Sequence, residues 1–197
     1  MVKSVRCRYL AKSHIINCNA QNQSFIYANF RGAIFTKVKF NNSTITGCDF
    51  WGTTFKDCDF SGARISDCVF MACKFSNFTA TTINYTTIVN TSLAECKNIS
   101  LAERTTIYKN YPKCILSEEL KATLEFLKSN KNLRTYKLLH ISDKKYNELN
   151  LFLLQQRFTA KALTLLLMEL VNHSTKKITT YKKLERQLKS FEIGGTI

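Results

Sequence analysis

The amino-acid sequence predicts a β-solenoid followed by an α-helical module, and three observations carry that reading. Every fifth residue from position 10 is apolar: Leu10, Ile15, Ala20, Phe25, Phe30, Phe35, Phe40, Ile45, Phe50, Phe55, Phe60, Ile65, Phe70 and Phe75. Two places earlier in each unit sits a compact residue: Ala28, Ala33, Val38, Ser43, Cys48, Thr53, Cys58, Ala63, Cys68 and Cys73. From about residue 114 the apolar spacing becomes helical.

A helix repeats every 3.6 residues and a flat strand every two, so neither produces a period of five over more than fifty residues. A five-residue period fits a coil in which each face uses one unit. One large and one compact side chain then point inward, and the rest point out. Stacked coils make backbone ladders at a spacing of about 4.8 Å, and the interior becomes columns of like residues.

The units CDFWG, CDFSG and ANFRG resemble the consensus of the pentapeptide repeat family, roughly A-(D/N)-L-x-x. The resemblance covers roughly residues 10 to 100 and is tightest between 25 and 75. It implies a right-handed quadrilateral β-helix with about twenty residues per coil. The columns then follow by number. Phe30, Phe50 and Phe70 share one face, Phe35, Phe55 and Phe75 the next, Phe40 and Phe60 a third, and Phe25, Ile45 and Ile65 the fourth. The compact columns include Ala28, Cys48 and Cys68; Ala33, Thr53 and Cys73; and Cys18, Val38 and Cys58.

Four cysteines in one short stretch suggest a metal cage, but their spacing argues for wall filling. Cys48, Cys58, Cys68 and Cys73 are separated by multiples of the repeat unit, and all occupy the compact inward slot. The stretch has no C-x-x-C pair and no histidine beside it. Small, mostly buried thiols suit such a slot, and free thiols are the expectation in a reducing compartment.

The repeat does not fill the chain. Residues 1–20 fit it loosely and read as an irregular cap or first coil, 21–95 as the β-helix, 96–113 as a connector and 114–197 as the helical module. After Phe75 the register slips to Phe78, Ile83, Ile88 and Leu93, which predicts an irregular turn near 76–82. Ser117 followed by Glu118 and Glu119 marks a helix start, with Leu120, Leu124 and Leu127 on one face. A second helical stretch is expected from Ser142 or Asp143, either continuous or bent near Gln155 to Phe158. A third is expected from Ser174 or Thr175, with Tyr181, Leu184 and Leu188 on one side. Polar residues interrupt the most apolar window, at Gln155, Gln156, Arg157, Lys161 and Glu169, so no membrane span is expected and the cytoplasm is the default location.

The formal net charge is +15, which favours anionic partners. Residues 101–197 carry eighteen basic and nine acidic residues, whereas 21–100 carry seven and five. Lys176, Lys177, Lys182, Lys183, Arg186 and Lys189 form the densest cluster and are the candidate contacts for an anionic partner. No catalytic, metal or cofactor site is expected. His14, His140 and His173 are far apart, and no phosphate-binding glycine loop occurs. The sequence therefore points to a non-catalytic interaction scaffold with a protein partner, a helical module that docks or dimerises, and no enzyme activity; the resemblance, to a chiefly bacterial family, implies a bacterial or phage origin. The alternative is a binder of nucleic acid or an anionic surface through the basic helices. Within the resembled family some members protect gyrase as DNA mimics and others are host-directed effectors. The mimic role needs an acidic rod, and this rod is nearly neutral.

Overall fold

A computed structural model describes residues 4–173 and 177–193, without the side chains of 78–81 and 173. The chain divides into two units, Met1–Tyr111 and Pro112–Ile197.

The first unit is a β-solenoid of about five turns. Its strands are mostly three residues long and pair in parallel with the strand twenty residues on. Ser4–Arg6, Ser24–Ile26 and Thr44–Thr46 lie in one ladder, with Val5 opposite Phe25, Phe25 opposite Ile45 and Ile45 opposite Ile65. His14–Ile16, Ile34–Thr36, Thr54–Lys56 and Lys74–Ser76 form a second. Asp49–Trp51, Val69–Met71 and Thr87–Val89 belong to a third. Bridges from Asn19 to Lys39 and from Lys39 to Asp59 mark the fourth side.

The corners explain the period. From 7 to 77, residues recurring every fifth position have a positive φ, including Tyr27, Gly32, Lys37, Asn42, Gly47, Gly52 and Asp57. Each such residue turns the chain by about a quarter of a coil, so the two inward positions recur after five residues. Gly and Asn tolerate that conformation best. At Gly62 a Cβ would also meet Asn42 Oδ1 at 2.2 Å.

Inside, the phenylalanines stack along the axis and meet edge to face around each coil. Phe50 lies 5.3 Å from Phe30 and 4.7 Å from Phe70 between ring centroids, nearly parallel to both. Phe55 is stacked at 5.2 Å on Phe35 and on Phe75, and Phe40 lies 4.5 Å from Phe60. Phe30 meets Phe35 at 5.3 Å and 69°. These are the offset and T-shaped arrangements that aromatic quadrupoles favour.

The compact slot does more than fill space. Cys48 Sγ donates to the Phe25 carbonyl and Cys58 Sγ to the Phe35 carbonyl, each at 3.6 Å. Thr53 Oγ1 donates to the Phe30 carbonyl at 2.9 Å, again twenty-three residues back. The Cys48 N–H donates to Cys68 Sγ at 3.4 Å, and the Cys68 N–H to Thr86 Oγ1 at 3.3 Å. Thiol and hydroxyl thus serve one purpose, the satisfaction of buried backbone groups.

The slip after Phe75 is not a turn. The strand Phe78–Asn84 runs alongside Asp59–Ser66, and the offset between paired residues falls from twenty to eighteen between Thr79/Asp59 and Thr81/Ala63. Two residues are lost where the earlier coil has its Gly62 corner. Backbone pairing absorbs the loss, so Ile83 still sits opposite Ile65. The ladders also reach into both flanks of the repeat. Ser4–Arg6 and His14–Ile16 lie within 1–20, and Cys96–Lys97, Ser100–Leu101 and Thr106–Tyr108 lie within 96–113. Parallel pairing needs backbone alignment and not the inward consensus, which is why strands outlast the sequence pattern.

Among the described residues the second unit holds five helices: α1 (Glu118–Leu127), α2 (Lys131–Thr135), α3 (Glu148–Gln155), α4 (Ala160–His173) and α5 (Tyr181–Ile193). α4 packs against α1, α3 and α5. Ser117 caps α1, its Oγ accepting the Leu120 N–H at 3.2 Å, and Leu120, Leu124 and Leu127 are buried. The second helical stretch begins later than its polar start suggests. Ser142 and Asp143 belong to a hairpin of His140–Ser142 and Lys145–Tyr146, and Asn147 caps α3 instead. The bend is real, because α3 ends at Gln155 and α4 starts at Ala160. α5 also starts late. Ile178, Thr179 and Thr180 are buried ahead of it, and Thr180 Oγ1 accepts the Lys183 N–H at 3.4 Å. Ser174, Thr175, Gly194 and Gly195 lie outside the described residues. No described helix is long and apolar enough to cross a membrane.

The two inward slots differ in what a truncation removes. Phe50→Ala deletes a ring stacked on both sides and should cost about 3–5 kcal/mol, whereas Cys58→Ala should cost only about 1 kcal/mol. Urea unfolding of the two variants against the parent checks both values.

Candidate functional site

The predicted basic cluster is only partly assembled on α5. Tyr181, Leu184, Glu185 and Leu188 form the buried face of this helix. Lys182, Arg186 and Lys189 follow at i, i+4 and i+7 along one stripe, with Lys183 three residues before Arg186. Arg186 and Lys189 are exposed, and Lys182 and Lys183 are half-buried. Lys182 pairs with Glu185 at 2.8 Å, and Arg157 approaches the same carboxylate at 3.6 Å. Lys183 Nζ donates to the Lys177 carbonyl. Lys177 Nζ lies 5.5 Å from the Tyr136 ring centroid. Lys176 lies outside the described residues. Glu185 therefore offsets part of the stripe, while Arg157, distant in sequence, adds a cation to it.

The cysteines sit in surroundings opposite to those that activate a thiol. Burial pushes the Cys73 thiol up to about 12, and it raises Cys58 as well. Burial together with the neighbouring Cys48 thiol raises Cys68 well above the usual range. Cys96 and Cys114 are pushed up to about 11, by burial first and by Glu95 or Glu148 second. A nucleophilic or metal-binding cysteine needs the reverse shift. Cys48, Cys58, Cys68 and Cys73 are free thiols. Among the described residues no group of three or more His, Cys, Asp or Glu is placed to hold a metal ion.

Two clusters lack a sequence motif. On the solenoid, Arg31 lies over Trp51, with its guanidinium carbon 3.8 Å from the ring centroid, and Trp51 lies 6.3 Å from Tyr111. Burial lowers the Arg31 pKa to about 10, and Asp49, Tyr9 and Tyr111 oppose that shift. Arg31 and Trp51 are twenty residues apart, so the coil length alone would have placed them in one outward column.

In the helical unit a pocket of about 260 Å³ is lined by Lys128, Arg134, Lys137, His140, Ser142 and Asp143. Its ring of charge is built from several elements. Lys128 ends α1 and pairs with Glu125. Arg134 on α2 pairs with Asp143 at 2.8 Å. Tyr146 Oη donates to Glu125 at 2.6 Å, and its ring lies 5.2 Å from that of His140. Burial is the main cause that lowers the His140 pKa, with the Lys128 charge next; Glu125 and Asp143 work against it and Arg134 with it. The hydrogen bond to Glu125 holds the Tyr146 phenol up to about 12. The carboxylate of Glu125 is in turn lowered by Lys128 and Tyr146.

Residues 13–52 and 43–77 match the family of pentapeptide repeats, in eight copies. Together with the twenty-residue coils, this match makes residues 13–77 a run of pentapeptide repeats. Among solved structures it is similar to HetL, a pentapeptide repeat protein involved in heterocyst differentiation regulation in the cyanobacterium Nostoc. The two are 15% identical with a TM-score of 0.35, and the match covers 58% of this chain and 46% of that one. It thus spans less than half of HetL. A pentapeptide repeat protein of the Arabidopsis thaliana thylakoid lumen is 14% identical with a TM-score of 0.27, over 61% of this chain and 76% of the other. Rfr23 of the cyanobacterium Cyanothece is 12% identical with a TM-score of 0.20, over 53% and 90%. No curated protein matches the sequence.

Two titrations check these electrostatics. Glu125→Gln removes the ionic acceptor of Tyr146, so the phenol should fall from about 12 toward its usual value near 10 in an ultraviolet-absorbance titration. His140 is lowered in the folded chain, so the unfolded chain binds a proton first as the pH falls. Stability should drop as pH falls through the unfolded value of about 6.5 and stop dropping below the folded value. His140→Gln should flatten that part of the pH dependence of the urea midpoint.

Proposed function

We propose that the protein is a non-catalytic interaction scaffold whose helical unit docks an acidic protein face through α5. The observation that carries the proposal is the division of labour among side chains. The phenylalanines and the core thiols of the solenoid are turned inward, onto stacking partners and backbone carbonyls, and burial holds the Cys58, Cys68 and Cys73 thiols in the unreactive form. Lys39, Lys56, Arg64 and Lys74 are among the charged groups that point outward on a frame set by backbone ladders, while Asn29 and Asp49 are buried. A cytoplasm of bacterial or phage origin suits a chain whose four core cysteines are free thiols. The family contains scaffold and interaction proteins, which supports the same reading.

A second reading has its own observation in the eighteen basic residues of 101–197 and the exposed Arg186 and Lys189. It makes the helical unit a binder of nucleic acid. A DNA-mimic role gains nothing from a repeat segment with seven basic and five acidic residues over 21–100.

Affinity purification from the native host, with and without nuclease, separates the two readings. The scaffold predicts a protein partner that survives nuclease and whose recovery falls about tenfold in Arg186→Glu/Lys189→Glu, the loss of about 1.4 kcal/mol. Loss of every partner on nuclease treatment, with binding that falls steeply as salt rises, would assign the surface to nucleic acid.

A further inference from the structure

The pocket bounded by α1, α2 and the hairpin has no residue of α5 in its lining, and the docking proposal makes no use of it. We propose that it binds a small tetrahedral dianion of the phosphate class, free phosphate or a small phosphomonoester, held by Arg134, Lys137 and His140.

The cations converge from separate places in the chain. Arg134 comes from α2, Lys137 from the turn that follows it, and His140 from the first hairpin strand. One solvated helix face would present its charges outward in a row. Here they line a common concavity.

His140 is only 6% exposed, and its Nε2 is buried without a hydrogen-bond partner. Leaving such an atom unsatisfied costs about 1–3 kcal/mol, and a ligand oxygen would remove that cost. The three backbone carbonyls ahead of it are paired. Asn147 Nδ2 donates to the Lys137 carbonyl at 2.7 Å, Asn150 Nδ2 to the Leu138 carbonyl at 2.9 Å, and the Asn147 N–H to the Leu139 carbonyl at 2.7 Å. Asn147 and Asn150 are themselves buried. This pinned backbone holds Lys137 at a φ of 53° and fixes the spacing between Lys137 and His140.

The pairing leaves one positive charge over, that of Lys137, and puts a second within reach of an anion, because the Arg134 pair is exposed. Lys128 has Glu125 and Arg134 has Asp143, while Lys137 makes no ion pair with a described residue. The Arg134–Asp143 pair is exposed on both sides, so it contributes at most about 1 kcal/mol and is readily exchanged. A ligand that takes Arg134 from Asp143 and also meets Lys137 neutralises two positive charges. Arg134 offers a planar fork suited to two phosphate oxygens, and Lys137 a point charge for a third. The volume equals the liquid share of about eight or nine waters, at about 30 Å³ each, so the ligand is small.

The test is a titration of the full chain in phosphate-free buffer, followed by the His140 ring resonances and by calorimetry. Inorganic phosphate, phosphoserine and succinate are the three probes. Phosphate or phosphoserine should give a saturable shift of His140, and succinate should not. Tighter binding of phosphoserine would identify a monoester as the ligand, and tighter binding of phosphate the free anion. Lys137→Gln should weaken binding about tenfold. Lys137→Arg should retain it, which controls for folding. Asp143→Asn, which removes the competitor for Arg134, should strengthen it. The proposal falls if neither phosphate nor phosphoserine saturates by about 10 mM, ten times a Kd near 1 mM. It also falls if succinate binds equally well, or if Lys137→Gln leaves the response unchanged.

Discussion

A backbone turn into the left-handed region at every fifth residue is the constraint on which the solenoid depends. Tyr27, Lys37, Asn42 and Asp57 all take it, as do Gly32, Gly47 and Gly52. L-residues pay roughly 1–2 kcal/mol for that conformation, so the surrounding contacts must recover it many times over. They do so in two ways. Parallel ladders pair each coil with its neighbours on several sides, and the turn delivers one aromatic and one compact side chain to the interior in every unit. Once the corners are set, Phe30, Phe50 and Phe70 stack in one column because their coils have equal length. The compact slot then lies where buried backbone groups need partners, and Cys, Thr or Ser can supply them.

The same economy shapes the helical unit, with buried asparagines in place of aromatic columns. Asn147 caps α3 and also holds the carbonyl of Lys137, so one side chain joins a helix start to the turn that follows α2. Asn150 adds the carbonyl of Leu138. Buried polar groups of this kind are stable only when satisfied, and their satisfaction makes the hairpin a fixed platform. Charge around the platform is arranged by short local pairs, Lys128 with Glu125 and Arg134 with Asp143. These pairs add little stability individually. Their effect is to set which cations are already partnered.

The five-residue period made the solenoid legible because it fits neither a helix nor a flat strand, and the columns followed from coil length. The corners were less so. Asn17, Asn22 and Asn42 suit a left-handed turn, but Tyr27, Lys37 and Ala72 carry no such signature. The hairpin at 140–146 was hidden because Ser142 and Asp143 look like a helix cap, and a single Asn five residues later does the capping. The basic residues of α5 were legible as a cluster, although their pairing with Glu185 and the arrival of Arg157 depend on tertiary contacts. The pocket had no motif at all. Its residues run from 128 to 143 without regular spacing, and only folding gathers them.

The shortening of the coil from twenty residues to eighteen gives the rod an internal grammar for growth. Ahead of Thr79 the repeat tolerates lengthening in steps of twenty residues, since each added loop would meet neighbours of the same perimeter. Beyond Thr81 the step is shorter and uneven, eighteen residues from Ile83 to Leu101 and nineteen from Ile88 to Ile107. Duplication within the gene is therefore constrained to one segment of the rod for each module size. A recombined array that crosses Thr79 and Thr81 in the wrong phase would turn the aromatic columns out to water.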